Sequence, residues 1–154
     1  MFLIYYFVIS FSLVGYGYFL SKFLKIDQKN YGYLGLLGLS FLIFISYSTT
    51  LFYVHDYFFN FFVLLVGFLI FLYQLKFDKN LKQHLIIFLF LIFFIFVGKN
   101  HDDFSYYHFP YTHILTQIEH PIGLGQLNNG FRNSSSIFFL SSLFYLPKIE
   151  FYLL

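Results

Sequence analysis

The sequence predicts an all-α protein, a polytopic transmembrane helical bundle, and three observations support this fold class. Hydrophobic residues make up 59% of the 154-residue chain and charged residues only 10%, whereas soluble domains carry about 25% charged residues. The apolar residues form runs that approach or exceed the about 20 residues needed to cross a hydrocarbon core of about 30 Å. Lysines cluster in two of the short connections between these runs.

Four membrane spans are predicted, over residues 2–21, 31–54, 57–75 and 82–98. The first three contain no charged residue. We expect helices throughout, because lipid offers no hydrogen-bond partner to a free backbone N–H or C=O. The first run has neither the basic start nor the small-residue cleavage site of a signal peptide, so we interpret it as a retained span.

The charged connections predict how the chain is oriented in the membrane. Residues 21–30 and residues 76–82 each carry three lysines against one aspartate, and the connection His55-Asp56 carries no lysine or arginine. Because cytoplasmic loops of membrane proteins are enriched in Lys and Arg, both lysine loops are predicted to be cytoplasmic. The amino terminus and the loop 99–133 then face outward.

Glycines mark the predicted contacts between helices. The chain contains no alanine, so glycine and serine are its only means of bringing two helix backbones close together. Gly32, Gly35 and Gly38 recur at intervals of three residues in the second span, and the first span holds Gly15 and Gly17. This pattern predicts helix packing at all of these positions.

The loop 99–133 differs in character from the rest of the chain, because it holds three of the seven acidic residues, four of the six histidines and the only arginine. Its middle predicts a short amphipathic helix that starts at Pro110, since proline suits the first helical turn. The predicted apolar face is Tyr111, Ile114, Leu115 and Ile118, and the predicted water-facing residues are Thr112, Gln117 and Glu119. Such a helix is expected to lie at the membrane interface or against the bundle.

The last part of the chain predicts a half-helix and the start of another span. Residues 134–146 are apolar but too few to cross a bilayer, and residues 147–150 read as a turn. The final four residues, 151–154, resemble the beginning of a fifth span. We therefore expect one transmembrane domain over residues 1–154 that forms the amino-terminal part of a longer protein.

Asp102 and Asp103 are the most prominent candidate functional residues, because they are adjacent carboxylates at the predicted outer end of the fourth span. Three interpretations stay open. The pair can bind a divalent cation through oxygen, one member can act as a general base, or the pair can cap a helix. If the chain after Asp103 is helical, its carboxylate and Tyr107 share one face.

The other polar residues of the loop support weaker hypotheses. The histidines at positions 101, 108, 113 and 120 lack the spacing of one helical turn, so a histidine-type zinc site is not favoured. Arg132 is a candidate ligand for a phosphate group, or it extends to lipid headgroups. A net charge of +2 without a basic stripe argues against nucleic-acid binding.

Part of the chain resembles a known group of enzymes. The runs Asp103-x-x-x-Tyr107-His108, Gly123-Leu-Gly-x-Leu127, Asn133-Ser-Ser135 and Leu143-Phe144 resemble multi-pass bacterial membrane proteins with the architecture of GT-C glycosyltransferases. The resemblance covers about residues 97–146. In the usual GT-C plan the acidic loop follows the first span, whereas here it follows the fourth predicted span.

The resemblance implies a membrane glycosyltransferase that transfers a sugar from a polyprenyl-phosphate donor to an acceptor outside the bacterial inner membrane. It implies a catalytic role for Asp102 or Asp103, possible use of a divalent cation there, and substrate contacts from Tyr107, His108 and Arg132. Two alternatives remain, a non-catalytic membrane subunit and a transporter or flippase of lipid-linked substrates. A transporter would carry charged residues within its spans, which the first three predicted spans lack.

Overall fold

The computed structural model describes residues 2–27, 29–76, 81–97, 102–119 and 122–149. The elements assigned within these ranges are helical, as the sequence predicts. The α-helices are α1 (Phe2–Phe23), α2 (Tyr31–Thr49), α3 (Tyr57–Leu75), α4 (Leu81–Val97), α5 (His108–Leu115) and α6 (Ser136–Leu143). Short 3₁₀ helices cover Asp102–Phe104, Leu124–Gln126 and Asn129–Arg132.

Three helices, α1, α2 and α3, are long and apolar enough to cross a membrane. This finding is compatible with the predicted multi-pass integral membrane protein. Helix α4 has 17 residues and therefore extends about 26 Å at about 1.5 Å per residue. That length is somewhat below a hydrocarbon core of about 30 Å, and a fourth span stays a prediction.

The helix bounds follow the apolar runs closely, with one clear difference at the end of α2. This helix ends at Thr49, five residues before the predicted end of the span at residue 54. The hydroxyl of Thr49 donates to the carbonyl of Ile45 at 2.8 Å, and that of Thr50 donates to the carbonyl of Ser46 at 3.1 Å. The chain then leaves the helix in a turn, which allows the His55 side chain to bond back to Thr49.

The contacts of the chain fall into two compact units. The first unit comprises Met1–Leu39 and Val66–His101, and the second comprises Ser40–Leu65 and Asp102–Leu154. The first unit therefore contains α1 and α4, and the second contains α5, α6 and the 3₁₀ helices. The single-domain organisation stays a prediction. Residues 150–154, where a further span was predicted to start, lie outside the described residues.

The first unit is packed through glycines. A methyl group on Gly17 would lie 1.7 Å from the carbonyl oxygen of Leu34, and one on Gly15 would lie 1.9 Å from that of Gly67. A methyl group on Gly38 would lie 1.7 Å from the carbonyl oxygen of Leu13. These helix backbones approach so closely that only glycine fits, which confirms the predicted packing role at Gly15, Gly17 and Gly38.

Aromatic rings complete the core of the first unit. Its buried residues are Val14, Tyr31, Leu34 and Phe71. The ring of Phe11 stacks on that of Phe71 with centroids 4.5 Å apart, and it meets Phe88 edge-on at 5.4 Å. The hydroxyl of Tyr6 donates to the backbone carbonyl of Phe88 at 2.8 Å, which ties α4 to α1.

The core of the second unit consists of α5, α6 and the loop between them. The buried residues are Tyr111, Leu115, Leu124, Phe131, Phe138 and Phe139. Helix α5 begins at His108, two residues before the predicted start at Pro110. Proline is still compatible, because the first four N–H groups of a helix have no partner within the helix.

The predicted polarity of α5 is only partly correct. Tyr111 and Leu115 are buried and Ile114 is half-buried, as expected, but Ile118 lies beyond the helix and is 46% exposed. Gln117 and Glu119 are exposed as predicted. Thr112 was predicted to face water, and this was wrong, because it is 1% exposed. Helix α5 is therefore buried at Thr112 as well as on its apolar face, whereas His113 is exposed.

Candidate functional site

The acidic pair lies in the 3₁₀ helix Asp102–Phe104, where its two members differ in environment. Asp102 is exposed and Asp103 is half-buried. The backbone carbonyl of Asp103 accepts the N–H groups of Tyr106 and Tyr107 at 3.1 and 3.2 Å. Asp103 therefore organises the turn that leads into α5, whereas Asp102 projects from it.

The side chains of Asp103 and Tyr107 meet, as the spacing predicts. The Tyr107 hydroxyl donates to Oδ2 of Asp103 at 3.3 Å, a long hydrogen bond. Burial raises the pKa of Tyr107, and the negative charge of Asp103 and this hydrogen bond raise it further. The phenol thus stays protonated and remains a donor to the carboxylate.

His108 and Tyr107 both contact α6. The ring of His108 lies 5.0 Å from that of Phe138, and Tyr107 meets the same ring edge-on at 6.1 Å. The two rings also lie 4.5 Å from each other. The predicted trio of Asp103, Tyr107 and His108 therefore forms one continuous group, and its two rings pack against Phe138 of α6.

The glycine-rich segment after α5 folds back onto this group. A methyl group on Gly130 would lie 2.9 Å from Cβ of Tyr107, so the backbone there packs directly on the tyrosine. The side chain of Asn128 accepts the Gly130 N–H at 2.8 Å and donates to the carbonyl of Tyr106 at 3.4 Å. The segment enters through Gly123, whose φ of 84° is in the left-handed region that favours glycine.

Arg132 lies at the end of the last 3₁₀ helix and is exposed. Its Nε donates to the carbonyl of Gly125 at 3.5 Å, and its side chain lies against Gly125. Over residues 102–119 and 122–149, no hydrogen bond or salt bridge joins Arg132 to Asp102 or Asp103. The guanidinium is therefore available to solvent, but the structure does not bring it into contact with the acidic pair.

Metal ligands are sparse in this region. Among the described residues, no three or more His, Cys, Asp or Glu side chains are grouped closely enough to hold a metal ion. His101 and His120, two of the predicted constellation, lie outside the described residues. His113 is exposed, and its ring stacks on Phe109 with centroids 5.8 Å apart. Asp102 and Asp103 supply only two carboxylates, whereas Ca²⁺ takes six to eight oxygen ligands.

A second polar site, centred on His55, was missed by the sequence analysis. His55 follows α2 in the chain and is 0% exposed. Its Nε2 lies 2.8 Å from Oγ1 of Thr49, and its Nδ1 lies 2.6 Å from Oγ of Ser142 in α6. Its backbone N–H donates to the carbonyl of Leu115 at 3.2 Å, and its ring stacks on Phe59.

Burial, with two hydroxyl partners, keeps His55 neutral. Both hydroxyl partners also lie within donating distance of a backbone carbonyl, Thr49 of Ile45 at 2.8 Å and Ser142 of Phe139 at 2.7 Å. A neutral imidazole carries one N–H, so His55 donates to one of these two hydroxyls and accepts from the other. Burial lowers the pKa of His55 to about 4, which agrees with this neutral form.

Asn60, in the first turn of α3, extends the same network. Its Nδ2 lies 3.0 Å from the carbonyl of His55, 2.8 Å from that of Ser142 and 2.9 Å from that of Tyr145. Its Oδ1 is buried and has no hydrogen-bond partner among the described residues. The amide orientation is thus set by three carbonyls, since exchanging N and O would place the amide oxygen against three acceptors.

A sequence signal for this site did exist. Asn60 interrupts the apolar run of the third predicted span, and an amide in an apolar environment costs several kcal/mol unless it is hydrogen-bonded. That cost indicates a buried partner. The partner itself is not evident from the sequence, because Ser142 is 82 residues away.

Comparisons with known proteins identify no relative of this chain. No protein-family model matches the chain, and neither a curated protein nor a solved structure is significantly similar to it.

Proposed function

We propose that the chain is part of a bacterial inner-membrane glycosyltransferase that uses a polyprenyl-phosphate sugar donor and acts on the outer face. The proposal combines the resemblance over residues 97–146 with one structural observation. Asp103, but not its neighbour, is half-buried and hydrogen-bonded to a tyrosine of the resembling motif. In this proposal the four predicted spans hold the donor lipid, and residues 99–133 face outward.

Asp103 is the proposed general base of the reaction. It would take the proton from an acceptor hydroxyl as that oxygen attacks the anomeric carbon of the donor sugar. The bond from this carbon to the phosphate oxygen breaks, and polyprenyl phosphate leaves with the bonding electrons. The Tyr107 hydroxyl would orient the carboxylate, and His108 would contact the substrate.

Charge compensation for the leaving group is assigned to Arg132. The departing phosphate needs positive charge near it, and the Arg132 guanidinium is exposed to solvent. A divalent cation bound through Asp102 and Asp103 would be a second source of positive charge. Its remaining ligands would have to come from the substrate or from water.

The experiment compares two adjacent carboxylates in the full chain. Asp103→Asn and the matched control Asp102→Asn are expressed at equal levels in membranes that contain radiolabelled hexosyl and N-acetylhexosaminyl polyprenyl phosphates. We expect Asp103→Asn to lower sugar transfer by about 10²–10⁴-fold, the contribution of a general base. The control should keep activity within severalfold. Equal loss in both variants, or no transfer by the unaltered protein from any donor, would refute the assignment.

A non-catalytic membrane subunit is the second candidate, and the His55 network favours it. Ser142 and His55 have the residue types of a nucleophile and base, but both are 0% exposed. A site closed to substrate in this way serves structure instead of chemistry. This candidate predicts that Asp103→Asn changes neither transfer nor the abundance of the protein.

A further inference from the structure

The first unit contains an apolar groove between α1, α2 and α4. Its volume is about 380 Å³, which is within the range of about 300–1,000 Å³ typical of small-molecule sites. The lining is mainly aliphatic and aromatic, and includes Leu13, Leu36, Leu39, Phe88 and Leu91. All of the lining residues belong to the same unit.

Gly35 explains why this space is open. No heavy atom lies within 4 Å of the position that a Cβ on Gly35 would occupy. Gly38, one turn further along α2, has backbone atoms within 2.9 Å of the equivalent position. Gly35 was predicted to pack against another helix, and this was wrong. It lines the groove instead.

The surroundings of the groove determine what can fill it. Helices α1 and α2 are both apolar enough to cross a membrane, and water does not occupy apolar cavities of this kind. A hydrocarbon chain is the natural occupant. The lining on α2 runs from Tyr31 to Leu39, about 12 Å of helix axis. That depth is close to half of a hydrocarbon core of about 30 Å, which is the reach of one leaflet.

One end of the groove is polar and adjoins positive charge. Asn30 and Tyr31 line this end, directly after the loop of residues 21–30. Lys22, Lys25 and Lys29 of that loop are exposed, against one acidic residue, Asp27. The Asn30 side chain accepts the N–H of Tyr33 at 3.2 Å and so caps α2. Contact with an anionic headgroup would therefore fall to the lysines.

We propose that this groove binds one acyl chain of an anionic phospholipid, with the lipid phosphate held by the lysine loop. The apolar lining accounts for the chain, its depth accounts for a lipid of the adjacent leaflet, and the lysines account for the negative headgroup. The site goes beyond the proposed glycosyl transfer, because its lysine loop is predicted to be cytoplasmic, whereas that reaction is proposed for the outer face. Glycosyl transfer can be absent while this site is present, so the two proposals fail separately.

The absence of tryptophan from the chain gives a direct measurement. In the full chain, Leu36→Trp places a single indole at the groove, and Leu69→Trp places one on an exposed face of α3 as the control. Each variant is reconstituted in vesicles of phosphatidylcholine and phosphatidylglycerol, with bromine on the chains of one lipid at a time. Bromine quenches nearby indole fluorescence, so the two series give the relative affinity for the anionic lipid.

We expect the Leu36→Trp indole to report a preference of about fivefold for phosphatidylglycerol, the factor that one lysine near an anionic headgroup provides. The Leu69→Trp control should report a ratio of about one. Adding Lys29→Gln should reduce the preference at Leu36→Trp, and circular dichroism verifies that this variant stays folded. Equal ratios at the two indoles would overturn the proposal.

The groove itself is tested by filling it. Gly35→Phe, added to Leu36→Trp, should remove the preference, and Gly35→Leu provides a smaller filler in case the aromatic ring perturbs folding. Far-ultraviolet circular dichroism verifies that the helices remain in each variant. If the preference survives in either folded filled variant, the lipid chain does not lie in the groove and the proposal is wrong.

Discussion

The contacts inside the first unit differ in chemistry from the contacts inside the second unit. In the first unit, helix backbones meet at Gly15, Gly17 and Gly38, and aromatic rings fill the remaining space. In the second unit, a buried network of hydroxyl, imidazole and amide groups connects segments far apart in the chain. Its fully buried members are His55, Asn60, Ser142 and Ser46, whose hydroxyl donates to the same Phe139 carbonyl as that of Ser142.

The difference follows from the backbone that each unit has to bury. A regular helix satisfies its own N–H and C=O groups, so close packing through glycine needs no polar side chain. Helix α6 has only eight residues, and the turn after it bonds the Ser141 carbonyl at 3.0 Å and that of Ser142 only at 3.4 Å. Asn60 donates to two carbonyls in this region, those of Ser142 and Tyr145. Buried polar side chains therefore supplement the backbone hydrogen bonds where the helix is short.

The largest effect is expected at Asn60. Replacing Asn60 with Leu removes two N–H donors that are shared among three at least partly buried carbonyls, of which that of Ser142 keeps a long bond from the Tyr145 N–H. Each unsatisfied buried group costs about 1–3 kcal/mol. We expect a loss of about 4 kcal/mol in the free energy of unfolding, with hydrogen exchange accelerating most in residues 136–149. Mass spectrometry of deuterated peptides gives the measurement. Phe61→Leu, at an exposed position one residue later, should leave exchange unchanged, and comparable exchange in both variants would contradict the role of the network.

The next largest effect is expected in the pH dependence of the stability of the second unit. The pKa of His55 is about 4 in the folded state, against a usual 6.5. Between these values the unfolded chain binds a proton that the folded chain does not, so stability falls as the pH decreases. The shift corresponds to about 3 kcal/mol between pH 7 and pH 4.

The measurement for His55 is a difference between two proteins. Unfolding in mixed micelles at pH 7 and pH 4 is compared for the unaltered chain and for His55→Gln, which keeps polar atoms but does not titrate. The unaltered chain should lose more stability on acidification. If both lose the same amount, the imidazole is not buried in its neutral form.

The smallest effect tests the first unit, and its sign differs between two glycines. Gly17→Ala places a methyl group against the backbone of Leu34 and should destabilise the protein by about 1–3 kcal/mol. Gly35→Ala meets open space and should stabilise it by about 0.5–1 kcal/mol, because alanine favours the helix. Unfolding of both variants in mixed micelles checks the prediction, and two changes of the same sign would argue against the glycine contacts.

The apolar runs of the sequence predicted the helices well, because lipid leaves the backbone only one regular conformation. The predicted third span coincides with α3, and the α2 and α4 starts agree to within one residue. Three of the predicted glycine contacts were also confirmed. The predictions for Gly32 and Gly35 were wrong, since neither meets another helix within 4 Å of its Cβ position. Spacing along one helix does not specify how far away the neighbouring helix lies.

The contacts of the candidate site could be predicted from the sequence only in part. The approach of Asp103 to Tyr107 was predictable, since four residues in a helical turn bring two side chains together. The position of Gly130 on Tyr107 and the link from His55 to Ser142 were not. Such contacts depend on how distant segments fold back, and local periodicity carries no information about that.

The three carbonyls bound by Asn60 also impose an order on biosynthesis. Ser142 follows Asn60 by 82 residues, which a ribosome adds in about 4–16 s at about 5–20 residues per second. During that interval α3 is already complete while its amide lacks two of its final acceptors. The nascent chain must therefore keep this asparagine hydrated or temporarily bonded to another partner. Its final hydrogen bonds form only when the α6 region packs against it.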